Sequence, residues 1–154
     1  MTTPRLVNLD YEDLRFITAR LREWDRKEIF ATRWDDDPDR LAQDALSYGD
    51  FAWVAKKDEP IAAIGAAPLW PGVWSMWCFG TDRFDEIGQY LTKHAVRVMI
   101  PALKLLNYRR LECRSIEGHT KAHRWLEFLG AEVEGINREY GRNGEDFRVY
   151  VWRR

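Results

Sequence analysis

His119, His123 and Glu127 recur every four residues, so a helix over that stretch would carry two imidazoles and a carboxylate on one face, the raw material of a metal site. No second ligand cluster accompanies them, and no glutamate follows the first histidine as in a zinc protease, so no metal site is expected. His119 taken alone sits where that helix begins. An imidazole there can act as a base or hydrogen-bond a ligand near neutral pH, or simply take a backbone partner. Ser115 ends the preceding strand-like segment with a hydroxyl free to donate, and Glu112 and Glu117 are either bases or solvated carboxylates. Cys78 and Cys113 lie in apolar segments. A nucleophilic thiol needs a nearby base, and the sequence places none beside either, so both read as free buried thiols.

The 154 residues suit one domain spanning 1–154, and a formal net charge of −1 gives no field for wrapping nucleic acid or lying on an anionic membrane. Eight tryptophans are many for this length. Trp70, Trp74 and Trp77 fall around one turn, where they wall a pocket, form a partner surface or pack inward. The acidic run Asp35, Asp36, Asp37 and Asp39 brackets Pro38 and reads as a solvated helix start. No apolar run approaches the length of a membrane span and no leader pattern is seen, so a cytoplasmic location is expected.

Positioning these residues requires alternating elements. Residues 5–9 read as a strand, and Asp10 can cap a helix through Leu14, Ile17, Leu21 and Trp24. A second helical stretch runs to about Thr32, and a third covers 38–47. Three strands follow, over 51–57, 61–69 and 73–79, with tight turns at Asp58-Glu59-Pro60 and Trp70-Pro71-Gly72 making an antiparallel meander. Apolar residues from Ile87 to Leu105 repeat at helical spacing over 84–106, with Pro101 set to kink that helix or split off its last turn. A strand over 110–115, a helix over 119–129 closed by Gly130, and two strands over 132–136 and 147–152 complete the chain. The strand–helix–strand step across the long helix demands a parallel pair. The fold expected is α/β (α+β): a mixed, mostly antiparallel six- to seven-stranded sheet flanked by helices, with a central parallel pair.

Two stretches within that order carry a family resemblance. Arg83-Phe84-Asp85-Glu86-Ile87-Gly88-Gln89-Tyr90-Leu91 resembles the Arg-Gly-x-Gly-Ile-Gly-x-x-Leu turn of the GNAT (N-acetyltransferase) superfamily, matching at Arg83, Ile87, Gly88 and Leu91. His119 to Ala131 resembles the family's Asn-x-x-Ala-x-x-(Phe/Leu)-Tyr-x-x-x-Gly-Phe helix, matching at Ala122, Trp125 and Gly130. The resemblance implies acetyl-CoA or another acyl-CoA held by the backbone of Trp77, Cys78 and Phe79, by Arg83, Ile87, Gly88 and Gln89, and by Ala122. It implies Ser115 and His119 as the residues left for catalysis. The departures fall on chemistry. Phe84 and Glu86 replace glycines that let a pyrophosphate approach helix-start amides. Leu126 stands where the family places a proton-donating tyrosine, and leucine donates nothing.

The phrase from Arg110 to Ala131 is also similar to GNAT-like proteins of tailed bacteriophages, including a podophage internal virion family. Two functions follow. One is an N-acyltransferase using an acyl-CoA on a small-molecule or protein amine. The other is a catalytically silent GNAT-like module that binds phage virion proteins or a second copy of itself, which would place it in a virion rather than the host cytoplasm.

Overall fold

A computed structural model describes residues 2–154. Its strands are β1 (Arg5–Asn8), β2 (Ala52–Lys56), β3 (Pro60–Trp70), β4 (Val73–Gly80), β5 (Arg110–Ile116), β6 (Glu132–Asn137) and β7 (Phe147–Arg153). They form one seven-stranded sheet in the order β1-β2-β3-β4-β5-β7-β6. Every neighbouring pair is antiparallel except β4–β5, which is parallel. The expected mixed sheet is therefore present, and β7 inserts between β5 and β6.

The helices are α1 (Tyr11–Thr18), α2 (Glu23–Ala31), α3 (Pro38–Ser47), α4 (Gly88–His94), α5 (Ile100–Leu105) and α6 (Thr120–Phe128). Asp10 caps α1 by accepting from the Asp13 amide at 3.2 Å, and Asp37 caps α3 through the Asp39 amide, with Pro38 in the first turn. Because strand side chains alternate, the sheet has two buried faces. Ala62, Ile64 and Ala66 of β3 pack with Leu91, Met99, Leu103 and Leu126 under α4–α6. Ala63 instead packs with Leu14, Ile17, Phe30 and Leu41 under α1–α3.

Two expectations are corrected. The long helix does not begin at residue 84: Phe84–Glu86 is a separate 3-10 turn, and α4 starts at Gly88. At Pro101 the helix is interrupted as expected, with α5 set off from α4 and the proline in its first turn. Residues Ala95–Met99 widen into π turns immediately before α5. Proline lacks an N–H and crowds the carbonyl four residues back, and the wider turn absorbs that mismatch. The tryptophans of the β3–β4 turn also do not cluster. Trp77 faces the α1–α3 layer, Trp74 packs against Phe51 on the opposite face, and Trp70 is exposed at the turn itself. The odd separation of Trp74 and Trp77 along one strand forces this. Among the described residues no helix is long and apolar enough to cross a membrane.

Candidate functional site

The parallel pair is short. β4 and β5 are hydrogen-bonded only over Val73↔Arg110, Trp74↔Leu111 and Ser75↔Glu112. Beyond that point each strand stays paired on its outer edge alone. β4 runs with β3 as far as Gly80↔Ala62, and β5 runs with β7 as far as Ile116↔Phe147. The inner edges diverge and leave a wedge.

The wedge opens into a cleft of about 850 Å³ lined from both layers of the molecule. Ile29, Leu41 and Tyr48 contribute from the α1–α3 side, while Gly88, Ala122 and Trp125 contribute from the α4–α6 side. The cleft therefore passes through the sheet at the one place where the ladder is missing. A long, thin ligand entering between α4 and α6 would reach a second compartment under α2 and α3.

The wide end of the wedge is held by α2. Asp25 and Glu28, three residues apart, share a helix face. Asp25 accepts from the Gly80 amide at 2.9 Å, at the tip of β4. Glu28 accepts from the Ile116 amide at 3.0 Å, at the tip of β5. His119 sits between them, its Nδ1 3.0 Å from Glu28 Oε2 and its Nε2 3.5 Å from Asp25 Oδ1. Trp24 stacks on the imidazole with 5.9 Å between ring centres. Trp24 in turn lies on Gly118, whose φ of +96° and lack of a side chain are both required, since a Cβ there would come within 2.6 Å of the indole.

Arg22 closes the set with two 3.0 Å hydrogen bonds to Asp25. Burial raises the Asp25 carboxyl pKa, opposed by Arg22 and the Gly80 amide. Asp25, Glu28 and His119 form a grouping of metal-ligand type, with atoms within 4.8 Å of one another. Three of the four carboxylate oxygens accept from N–H donors and the fourth faces His119 Nδ1, so the arrangement is a hydrogen-bonded clamp across the mouth of the wedge.

No protein-family model matches the sequence, and no curated protein matches it. Solved structures do. A GNAT-family acetyltransferase from Bacillus anthracis superposes with a TM-score of 0.72 at 12% identity, over 99% of this chain and 96% of that one. The fold is that of the GNAT acetyltransferases. An N-acetyltransferase from Staphylococcus aureus Mu50 gives 0.72 at 14% identity, over 99% of both chains. The ribosomal-protein-S18-alanine N-acetyltransferase from Escherichia coli gives 0.69 at 14% identity, over 98% and 94%.

Within this GNAT fold, eight of the ten residues singled out in the sequence meet at the cleft: Trp77, Cys78, Phe79, Gly88, Gln89, Ser115, His119 and Ala122. Ser115 is 2% exposed and its hydroxyl has no hydrogen-bond partner in the protein. The Trp77 indole stacks on Phe79, and its N–H is likewise buried without a partner. Burial pushes the Cys113 thiol up to about 12 and the Cys78 thiol further, so neither supplies a thiolate near neutral pH.

Two residues do not join the cleft. Ile87 is 1% exposed and packs into the core beneath α4–α6. Arg83, expected to meet a phosphate, turns the other way. Its guanidinium bonds Glu86 at 2.7 and 2.9 Å, Glu59 at 2.8 Å and Asp58 at 2.8 Å, and it is not part of the cleft wall. The β2–β3 turn thus captures the arginine with two acids, and Glu86, standing where the family has a glycine, adds a third.

Phe84, in place of the other glycine, lies against the Arg22 guanidinium, 4.0 Å from its ring centre, and edge-on to Trp125. Gly80 makes room for it, as a Cβ at residue 80 would meet Phe84 at 2.6 Å. The residues that sequence reading missed are Arg22, Asp25 and Glu28. The spacing of three between Asp25 and Glu28 on α2 was the available signal, but nothing local says that the face meets two strand tips.

Proposed function

We propose that this chain is an acyl-coenzyme A-dependent N-acyltransferase. The observation that carries the reading is the wedge: a channel through the sheet, open on one side to a nucleotide-bearing thioester and on the other to an amine. A bound thioester supplies an activated acyl carbon, and the chain supplies its surroundings. The inner edge of β4 over 76–79 offers backbone groups left without β5 as partner, suited to an amide-bearing pantetheine arm and to polarising an acyl carbonyl. The wedge fits that arm. The turn over 83–88 fits a pyrophosphate poorly, since its arginine is engaged by three carboxylates.

Two groups are placed to assist the transfer. Glu28, held by His119 and the Ile116 amide, stands on the amine side and is suited to receive the proton that the amine loses as its nitrogen bonds the acyl carbon. Ser115, with its hydroxyl unpartnered, stands in the wedge and is suited to donate a hydrogen bond to the sulfur as the C–S bond breaks, the departing thiolate taking its proton from solvent. It would serve in place of the tyrosine that Leu126 replaces. Much of the acceleration would come from holding the two reactants together, which asks for no tyrosine.

Calorimetry with acetyl-CoA, followed by acetyl transfer to a panel of amines, tests the reading. Binding, together with a fall in kcat of about 10²-fold in Glu28→Gln and a shifted pH–rate profile, is expected. The amide oxygen introduced by that substitution can still accept from the Ile116 amide, so the clamp survives while the base is lost. Absence of binding at millimolar acetyl-CoA would refute the reading. The structures described above are acetyltransferases, and they lend no support to a virion role.

A further inference from the structure

We infer that the donor recognised at the cleft is a phosphopantetheine thioester, anchored through its single phosphate by Lys121 and Arg124 of α6, with the nucleotide half contributing little. The inference rests on the acyl-transfer reading and adds the identity of the donor's recognised part.

Three observations lead to it. First, the turn at the β4–α4 junction is hostile to a polyanion. Asp82, Asp85 and Glu86 are exposed there, and Arg83, its one cation, is engaged by Asp58, Glu59 and Glu86. Second, Phe84 occupies the space that its position in the turn would otherwise leave open. It is wedged against Gly80 and between Arg22 and Trp125, so its ring fills volume that a glycine would leave to a ligand.

Third, two cations of α6 line the cleft across from that turn; of the other lining arginines, Arg22 is paired with Asp25, Arg33 with Asp44, and Arg114 donates to Asn137. Lys121 and Arg124 are exposed, three residues apart on one face of α6, and both belong to the cleft lining. The only charged partner of Lys121 among the described residues is Asp85, at 3.3 Å, and both side chains are more than 70% exposed. An ion pair so exposed is worth about 0–1 kcal/mol, so the phosphate of a pantetheine arm readily displaces the carboxylate. Arg124 has no ion pair among the described residues.

A site with two cations on α6 and a net negative turn opposite matches one phosphate at the end of a pantetheine arm. It does not match the three phosphates of coenzyme A. The same chemistry arrives on free coenzyme A or on the prosthetic arm of a carrier protein.

Calorimetry with four donors tests this: acetyl-CoA, S-acetyl-4′-phosphopantetheine, S-acetylpantetheine and an acetylated acyl carrier protein. The phosphopantetheine thioester is expected to bind within about tenfold of acetyl-CoA, and S-acetylpantetheine more than about tenfold weaker than either. The double variant Lys121→Glu/Arg124→Glu should lose about tenfold or more for the phosphate-bearing donors and leave S-acetylpantetheine unchanged. Asp85→Ala, a change at an exposed side chain, should tighten them, and Arg83→Ala should leave them unaltered.

A phosphopantetheine thioester more than about tenfold weaker than acetyl-CoA, or a double variant that binds as the wild type, overturns the inference while sparing the acyl-transfer reading. No binding by any donor refutes the reading itself. Given a supporting result, tighter binding of the carrier protein than of the free arm assigns the donor to a carrier, and equal or weaker binding assigns it to coenzyme A.

Discussion

Arg83 illustrates how a motif position can keep its residue and lose its task. The sequence match at Arg83 and Gly88 is real, but what a guanidinium does depends on which carboxylates reach it. Asp58 and Glu59 lie more than twenty residues away along the chain, brought alongside by the β2–β3 turn. Arg83 in turn holds Glu86 at about 2, well below the ordinary carboxylate range. That pairing carries a pH signature. A carboxyl depressed by a partner contributes stability above its unfolded pKa, near 4.5, and the contribution disappears as pH falls from there toward 2. Arg83→Ala should therefore lower the melting temperature at pH 7 and low salt, by less at high salt, and should flatten the decline below pH 4.5. Melting curves across pH and ionic strength check this. A variant whose acid limb matches the wild type would mean the network is absent in solution.

At the scale of elements, α2 matters more than its composition suggests. Its apolar pattern is weak; beside the buried Phe30 and Ala31, it sends two carboxylates to two strand tips and one imidazole. Removing the Asp25 carboxylate leaves the Gly80 N–H and the Arg22 guanidinium without their partner in a region where Asp25 itself is 2% exposed. Asp25→Ala should cost about 2–3 kcal/mol, the penalty for stranding buried donors, and should speed amide exchange at Gly80 specifically. Urea denaturation and hydrogen exchange read both. A loss under about 0.5 kcal/mol would mean that water takes over the role of the carboxylate.

The strands and helices were largely legible in the sequence because hydrophobic period and turn residues are local. The meander, α3 with its Asp37–Pro38 start and the Gly130 stop all follow from such signals. The π turns before Pro101 were not legible, since an apolar step of four residues looks the same in either helix type. Neither was the clamp, which joins residues 55 to 91 positions apart.

For the molecule as a whole, acid should act through the α4–α6 layer, because His94 and His123 are packed there, and His123 bonds the Ile116 tip that the clamp also holds. His94 of α4 packs edge-on to Trp53 at 4.5 Å between ring centres, and its Nε2 is buried without a partner. His123 of α6 is 5% exposed, its Nε2–H donating to the Ile116 carbonyl beside Tyr150. Burial lowers both pKa values below 6.5, and Arg148 adds to the effect at His123. In the folded protein each ring therefore stays neutral at a pH where the unfolded chain takes a proton. Their contribution is complete above about pH 6.5 and falls as pH drops below it, with a limiting slope of about 1.4 kcal/mol per pH unit for each proton.

The layer under α4–α6 walls one side of the wedge, so mild acid should loosen that side and, through His123, the Ile116 tip that α2 holds. Measured unfolding free energy should decline from pH 6.5 to 5, and His94→Gln should remove part of that decline, since a glutamine there has no proton to gain. Acetyl-CoA at saturating concentration should offset the decline only if its binding site is the folded wedge, because a ligand stabilises the state it binds. A stability profile flat across that interval would show that both rings reach water in solution and that this layer is looser than its packing implies.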